Sequence, residues 1–178
     1  MKDASSLKIA VLVSRFNERV TGALLKGCLE RLKALGVREE CVGTAWVPGA
    51  FELPFAAMQT ARLGSDSRPD AIVCLGAVIR GGTPHFDYVC AECARGIMRV
   101  GLSTGVPAIF GVLTCDTLEQ ALERCGETDA VRFMERRRHI VKQPYRSRSY
   151  SRYGSADLAQ YLVSVLYYIE YCHRSSYI

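Results

Sequence analysis

The stretch Gly76–Tyr88 contains the residues best suited to chemistry in this chain. An apolar run ends there in the paired glycines Gly81 and Gly82, which are followed by Thr83 and His85. Backbone N–H groups at such a turn, together with a hydroxyl, can bind an oxyanion such as phosphate. An imidazole two residues beyond Thr83 can exchange protons near neutral pH. The pattern predicts an anion-binding site with His85 as its acid–base group.

Four further groups of residues could contribute to this site. Arg80 adjoins the glycines and Arg124 lies on a later helical pattern, and both carry the planar guanidinium that recognises phosphate, although an arginine on a helix face is usually solvated. Phe16-Asn17 and Phe51-Glu52 each follow an apolar run. An aromatic ring beside an amide or carboxylate suits a flat, hydrogen-bonding heterocycle. A phenylalanine packed under a loop and a glutamate starting a helix fit these pairs equally well.

Apolar runs and helical periodicities alternate four times along the chain. We predict strands at 7–13, 42–47, 70–79 and 107–113, and helices at 20–35, 52–63, 86–102 and 116–126. Asp116–Glu119 has the spacing of a capping box for the last helix. Gly36 and Gly126 are expected to end the first and last helices.

Strands that alternate with helices form right-handed crossovers and a parallel sheet covered on both faces. The predicted fold class is therefore α/β: a single-domain, three-layer αβα fold with a flavodoxin-like, four-stranded parallel sheet. Ligands of such folds bind beyond the carboxyl ends of the strands. The polar loops at 14–19, 48–51 and 80–85 all follow strands, so we expect them at one edge.

Composition and charge divide the 178 residues into three parts. We predict an α/β domain at 1–130, a basic link at 131–153 and a C-terminal helix at 154–178. Residues 131–152 hold eight basic side chains against one acidic one, a net charge of +7, so the rest of the chain carries −2 of the overall +5. Arginines interleaved with tyrosines could contact nucleic acid, but a basic run is more often solvated.

Other function classes find little support in the composition. No apolar run approaches the roughly 20 residues that cross a bilayer, and the first residues do not form a secretory signal, so we expect a cytoplasmic protein without a membrane partner. The eight cysteines are scattered through apolar segments as buried thiols would be, and the one close pair, Cys90 and Cys93, lies within a predicted helix. We predict no metal site.

Several segments together resemble the 6,7-dimethyl-8-ribityllumazine synthase family, over roughly residues 7–126. They occur in the family's order and spacing, and they are Phe16-Asn17, Val47–Pro54, Gly76–Val89, Pro107–Thr114 and Glu119–Arg124. The resemblance implies a transferase of riboflavin biosynthesis that needs no cofactor. It joins 5-amino-6-(D-ribitylamino)uracil to 3,4-dihydroxy-2-butanone 4-phosphate, giving the lumazine, phosphate and water.

The resemblance also implies a role for individual residues. Phe16 would stack on the pyrimidine, while the ribityl chain and ring edges would be held by Asn17, Ala50, Phe51 and Glu52. Val78 and Ile79 would line the ring pocket. Gly82 and Thr83 would meet the phosphate, Arg80 and Gly81 would be substrate-binding residues beside them, and His85 would be the acid–base group. Phe110 and Arg124 would come from a neighbouring subunit of a homopentamer or a multiple of pentamers, and Arg124 would bind the phosphate.

The C-terminal part departs from the family. Lumazine synthases usually continue after the Arg124 helix through a Gly-Asn-Lys-Gly-type loop whose lysine faces the phosphate, and residues 127–178 lack that loop. Lys142 is the only lysine beyond Arg124, and its context does not match. Two alternatives therefore stay open: a non-catalytic relative that binds flavin or lumazine or forms a shell, and a nucleic-acid-binding protein that uses the basic segment.

Overall fold

Strands and helices alternate throughout residues 4–126, which are the residues that the computed structural model describes. The strands are β1 (Ile9–Ser14), β2 (Val42–Val47), β3 (Ala71–Ile79) and β4 (Ala108–Cys115). The helices are α1 (Glu18–Ala34), α2 (Leu53–Ala61), α3 (His85–Thr104) and α4 (Leu118–Cys125). The four predicted strand–helix units are confirmed: no predicted end differs from the observed one by more than two residues, and at β2 both ends coincide.

The four strands form one parallel sheet in the order β2-β1-β3-β4. β1 lies inside the sheet: Ile9 is in register with Val42 on one side and with Ala71 on the other. β3 continues the sheet by pairing with β4, where Ile72 is in register with Ala108. The flavodoxin-like α/β fold predicted above is confirmed.

The helices cover both faces of this sheet. On one face, α1 and α4 pack on the side chains of Val11, Val13, Leu75 and Leu113. On the other, α2 and α3 pack on a second set that includes Leu12, Ile72, Cys74 and Val112. Strands buried on both faces need apolar residues at successive positions, which is why β1 and β3 read as continuous apolar runs rather than alternating ones.

Gly76 lets α2 approach the sheet closely near the carboxyl end of β3. A Cβ at this position would lie 3.2 Å from Leu53 Cδ1 and 3.2 Å from both Val112 γ-carbons. Leu53 is fully buried as the first residue of α2. The glycine therefore allows the helix that follows the 48–51 loop to pack directly beside β3.

Two local predictions need correction. The cap of α4 is Thr117 and not Asp116: Thr117 Oγ1 accepts from the Gln120 N–H at 3.3 Å, and Gln120 Oε1 accepts from the Asp116 N–H, just before the cap, at 2.9 Å. Asp116 does not cap because its carboxylate accepts from Arg80. In addition, α3 begins at His85 rather than Phe86, so the imidazole belongs to the first turn of a helix.

Several predictions concern residues outside 4–126. The basic link, the C-terminal helix, Lys142 and Cys172 lie beyond the described residues, so they stay predictions. Within the described part, no helix is long and apolar enough to cross a membrane. The same residues contain no group of three or more histidine, cysteine, aspartate or glutamate side chains placed to hold a metal ion.

Two helical glycines provide a matched test of the packing. A Cβ at Gly96 on α3 would lie 2.6 Å from Pro54 Cβ, so Gly96→Ala forces α2 and α3 apart and should cost about 1–3 kcal/mol of unfolding free energy. Nothing lies within 4 Å of a Cβ at Gly22 on α1, so Gly22→Ala should stabilise by about 0.5–1 kcal/mol. Urea unfolding measures both, and a Gly96→Ala protein as stable as the parent would contradict the close contact.

Candidate active site

The loop after β1 is held against the loop after β2 by backbone hydrogen bonds. Arg15 donates its N–H to the Val47 carbonyl at 2.8 Å, and Phe16 donates to the Pro48 carbonyl at 3.0 Å. These bonds extend the β1–β2 ladder beyond the last paired residues. They fix the backbone of Phe16, while its ring is 70% exposed at the carboxyl edge of the sheet.

Asn17 connects the same loop to β3. Its side-chain Nδ2 donates to the Ala77 carbonyl at 2.9 Å, although β1 and β3 are last paired at Val13 and Leu75. Its own carbonyl accepts from the N–H of Val20 and starts α1. Asn17 has φ 61° and ψ 46°, and it is the one non-glycine residue with positive φ in the described part. This left-handed conformation favours glycine and asparagine and stores strain in most other residues.

The loop after β2 places an aromatic ring and a carboxylate at this edge. Residues Ala50–Glu52 form one 3₁₀ turn, in which Ala50 is buried while Phe51 is 58% exposed and Glu52 is exposed. A Cβ at Gly49 would lie 3.1 Å from Glu52 Oε2, so the glycine leaves room for this carboxylate. The prediction that these side chains occur at the same edge as Phe16 is confirmed.

The third loop presents exposed glycines and the start of a long helix. Gly81, Gly82, Thr83 and His85 are all exposed, whereas Val78 and Ile79, just before them on β3, are partly buried. A Cβ at either glycine would meet nothing within 4 Å in this chain, so internal packing does not require them. No side chain caps α3, whose N-cap residue is Pro84. Free N–H groups and open space therefore coincide beside His85, the arrangement an anion needs.

Arg80 is engaged by other side chains. Its Nε donates to Asp116 Oδ1 at 2.8 Å, its Nη1 lies 3.1 Å from Asp87 Oδ1, and its Cζ lies 4.1 Å from the centroid of the Phe86 ring. These hydrogen bonds raise the pKa of the guanidinium, that of Asp116 contributing most. The sequence analysis did not predict that Asp87 and Asp116 are partners of Arg80. The spacing of seven residues between Arg80 and Asp87 was the one local signal for such a pair.

Phe110 and Arg124 lie on β4 and α4 and not in the three loops. Phe110 is partly buried in the middle of β4, in register with Cys74 and four residues before Thr114. Arg124 is buried near the end of α4, where its Nη1 donates to the Gln120 carbonyl at 2.9 Å. Burial raises the pKa of the Cys115 thiol, and the positive charge of Arg124 partly opposes that rise. The Arg124 charge thus acts on Cys115 at the end of β4, and neither Phe110 nor Arg124 belongs to the loops that carry Phe16, Phe51 and His85.

A family comparison covers the whole of the described sheet and its loops. A sequence model of the 6,7-dimethyl-8-ribityllumazine synthase family matches residues 6–140. The chain belongs to the lumazine synthase family. The match contains all four strands, all four helices and every residue of the three loops, and it confirms the resemblance seen in the sequence. Lumazine synthases act in riboflavin biosynthesis.

Buried polar groups near the site are few. Ser14 ends β1 fully buried, and its hydroxyl has no hydrogen-bond partner among the described residues.

Four of the seven cysteines in residues 4–126 are buried as predicted, and all seven are free thiols. Burial raises the pKa of Cys28 and of Cys93 to about 12, so both remain protonated at neutral pH. These thiols contribute to packing and not to acid–base chemistry.

The two structural contributions of Asn17 can be separated by substitution. Asn17→Gly tolerates the left-handed backbone but loses the hydrogen bond to Ala77, and should cost about 1 kcal/mol. Asn17→Ala loses the bond and also strains the backbone, and should be about 1 kcal/mol less stable again. Urea unfolding of the three proteins should rank asparagine above glycine above alanine; an alanine variant as stable as the glycine variant would contradict the strain.

Proposed function

We propose that this chain is a catalytic lumazine synthase. It joins 5-amino-6-(D-ribitylamino)uracil to 3,4-dihydroxy-2-butanone 4-phosphate and releases 6,7-dimethyl-8-ribityllumazine, phosphate and water. The observation that carries the proposal is the meeting of three loops at one sheet edge, in a chain whose family match spans all of them. Two exposed aromatic rings and a histidine beside an uncapped helix are the groups that these substrates require.

The pyrimidine and its ribityl chain are assigned to the first two loops. A backbone hydrogen bond fixes the main chain of Phe16 while its ring is exposed, so one face of the ring is available for stacking on a flat heterocycle. Phe51 and Glu52 lie on the neighbouring loop and supply a second ring and a hydrogen-bonding carboxylate. Val78 and Ile79 give the pocket an apolar wall at the end of β3. Ala50 is buried and packs the second loop onto the core.

The phosphate ester is assigned to Gly81, Gly82 and Thr83. These residues are exposed, and they lead into the N-terminus of α3, a helix of 20 residues whose first N–H groups have no side-chain cap. The helix dipole and those N–H groups favour an anion at this end. Open space at both glycine α-carbons allows the phosphate oxygens to approach the backbone.

The reaction needs proton transfers and alignment. The ring amine attacks the ketone and a first water leaves to form an imine. Phosphate is then eliminated, and the ribitylamino nitrogen closes the ring on the remaining carbonyl with loss of a second water. His85 is adjacent to the phosphate-binding turn, where it can move protons during imine formation and elimination. Holding the two substrates together in the correct orientation supplies up to roughly 7–11 kcal/mol of the barrier in well-oriented cases.

Turnover and a His85 variant test the activity. The protein should form fluorescent lumazine faster than the uncatalysed reaction, and His85→Ala should lower kcat by about 10²-fold, the lower end of the general acid–base range. His173→Ala removes a histidine outside the described residues and serves as the control. A wild-type rate equal to background, with calorimetry showing lumazine or riboflavin binding, would instead identify the non-catalytic binder that the missing lysine loop favours.

The proposal includes an active site shared between copies of the chain. Phe110 lies on β4, an edge strand, and Arg124 lies on the helix that follows it, so both can reach a second copy. One face of α3 carries exposed apolar side chains, including Met98 (60% exposed) and Leu102 (80% exposed), and Phe55 of α2 is also exposed. Apolar surface of this kind is typical of a subunit interface. The proposed assembly is a homopentamer or a multiple of it.

Charged substitutions on α3 test this assembly. Met98→Glu combined with Leu102→Glu places two carboxylates in the proposed interface, so the native mass should fall to that of the 19.7 kDa chain and turnover should fall to background. Leu29→Glu, on the other face of the sheet, should change neither the mass nor the rate. An intact assembly in the double variant would exclude this face of α3 from the interface.

A further inference from the structure

The Arg80 guanidinium joins three segments at the carboxyl edge of the sheet. The side chain leaves the end of β3, and Asp87 lies in the first turn of α3. Asp116 lies between β4 and α4, and its carboxylate accepts from Arg80 Nε at 2.8 Å. Phe86 places its ring under the same guanidinium. The two carboxylates and the ring occupy two edges and one face of this planar group.

These contacts enclose the proposed phosphate-binding turn. At its start, the Arg80 N–H donates to the Cys115 carbonyl at 2.9 Å, and at its end Arg80 Nη1 pairs with Asp87 at 3.1 Å. Between them lie Gly81 and Gly82, which have no neighbour at their Cβ positions. Ordering glycine backbone is entropically costly, at about 1–2 kcal/mol per residue. A tether across both ends is therefore the means by which this turn keeps one conformation.

Global stability does not explain the cluster. The Arg80 side chain is 42% exposed and both of its carboxylate partners are more exposed still. Exposed ion pairs contribute roughly 0–1 kcal/mol to folding, so losing them leaves the core intact. Asp116 is also not needed as the cap of α4, because Thr117 performs that function. The effect of the cluster is therefore local to the segment between Arg80 and Asp87.

We infer that Arg80 is a positioning residue, which acts by holding the 81–85 turn and not by binding the phosphate itself. Its guanidinium spans Asp116 and Asp87, and this bridge sets where Thr83 and His85 stand at the start of α3. The inference rests on the proposed function and replaces direct phosphate binding as the role of Arg80. Only a planar fork of donors can meet both carboxylates and cover the Phe86 ring at once.

Arg80→Lys tests the fork while keeping the positive charge. If Arg80 only supplied a positive charge to a bound phosphate, lysine could replace it. A lysine ammonium cannot bridge both carboxylates. We expect KM for the butanone phosphate to rise and kcat to fall by about tenfold each, less than the roughly 10²-fold that a 1 Å misplacement can cost. KM for the ribitylaminouracil and the urea midpoint should stay within error. Kinetics unchanged from the parent would overturn the inference.

Asp116→Asn distinguishes positioning from direct binding by the sign of its effect. Removing a negative charge and releasing Arg80 would both favour an anion, so a directly binding Arg80 predicts a lower KM for the butanone phosphate. Loss of the bridge predicts a higher KM. A rise can therefore come only from the lost tether, and a fall would overturn the inference.

Arg38→Lys is the matched control. Arg38 also pairs with a carboxylate, that of Glu40 at 3.2 Å, and donates to the Ser5 carbonyl at 2.8 Å, but it precedes β2 at the opposite edge of the sheet. It should leave both KM values unchanged. If the wild-type protein has no turnover, the proposed function fails. Hydrogen exchange then tests the tether alone: amides of residues 81–87 should exchange faster in Arg80→Lys while the core amides do not, and equal exchange would overturn it.

Discussion

The parallel pairing of β1 with both β2 and β3 is the constraint on which the site depends. Because all three strands run in one direction, the loops that follow them, which carry Phe16 and Phe51 and lead to His85, emerge at one edge of the sheet. A reversed β2 would send Phe51 to the opposite edge, about 20 Å away for a strand of six residues. Strand direction is enforced by the crossover helices, which bury apolar side chains on both faces of the sheet.

Beyond the last backbone hydrogen bonds of the sheet, side-chain hydrogen bonds connect the loops. Asn17 bonds to Ala77 beyond the last β1–β3 pair, and Arg80 bridges from the end of β3 to the β4–α4 junction. Both connections are polar and near solvent, whereas the core below them is formed by apolar residues such as Val11 and Ile72. Fold stability therefore comes mainly from the core, and the polar contacts at the edge determine the geometry of the loops. Substitutions in the core should change the free energy of unfolding, whereas substitutions of the polar edge contacts should change the geometry of the loops.

Local signals predicted the elements well and the long-range contacts poorly. The bounds of β2 were predicted to the residue because a charged segment and a Pro-Gly turn flank its apolar run. The cap of α4 was misplaced by one residue because Arg80, 36 positions earlier, takes the carboxylate that local spacing would have used. The family's motifs indicated which loops form the site. They did not indicate that Asn17 and Arg80 are already bonded to the chain itself, since such partners are known only after folding.

The exposure of the site has a physical consequence for catalysis. In the described part of the chain, the Phe16 and Phe51 rings are mostly exposed and the 81–85 turn is open to solvent, so these residues form one open wall. Condensation to an imine expels water, and it is favoured when bulk water is kept out. Under the proposed function, a second copy must provide the missing wall, and Phe110 and Arg124 are assigned to it because they lie on the edge strand β4 and on the helix that follows it. The open site and the exposed apolar face of α3 then have one explanation: assembly both buries the helices and completes the pocket.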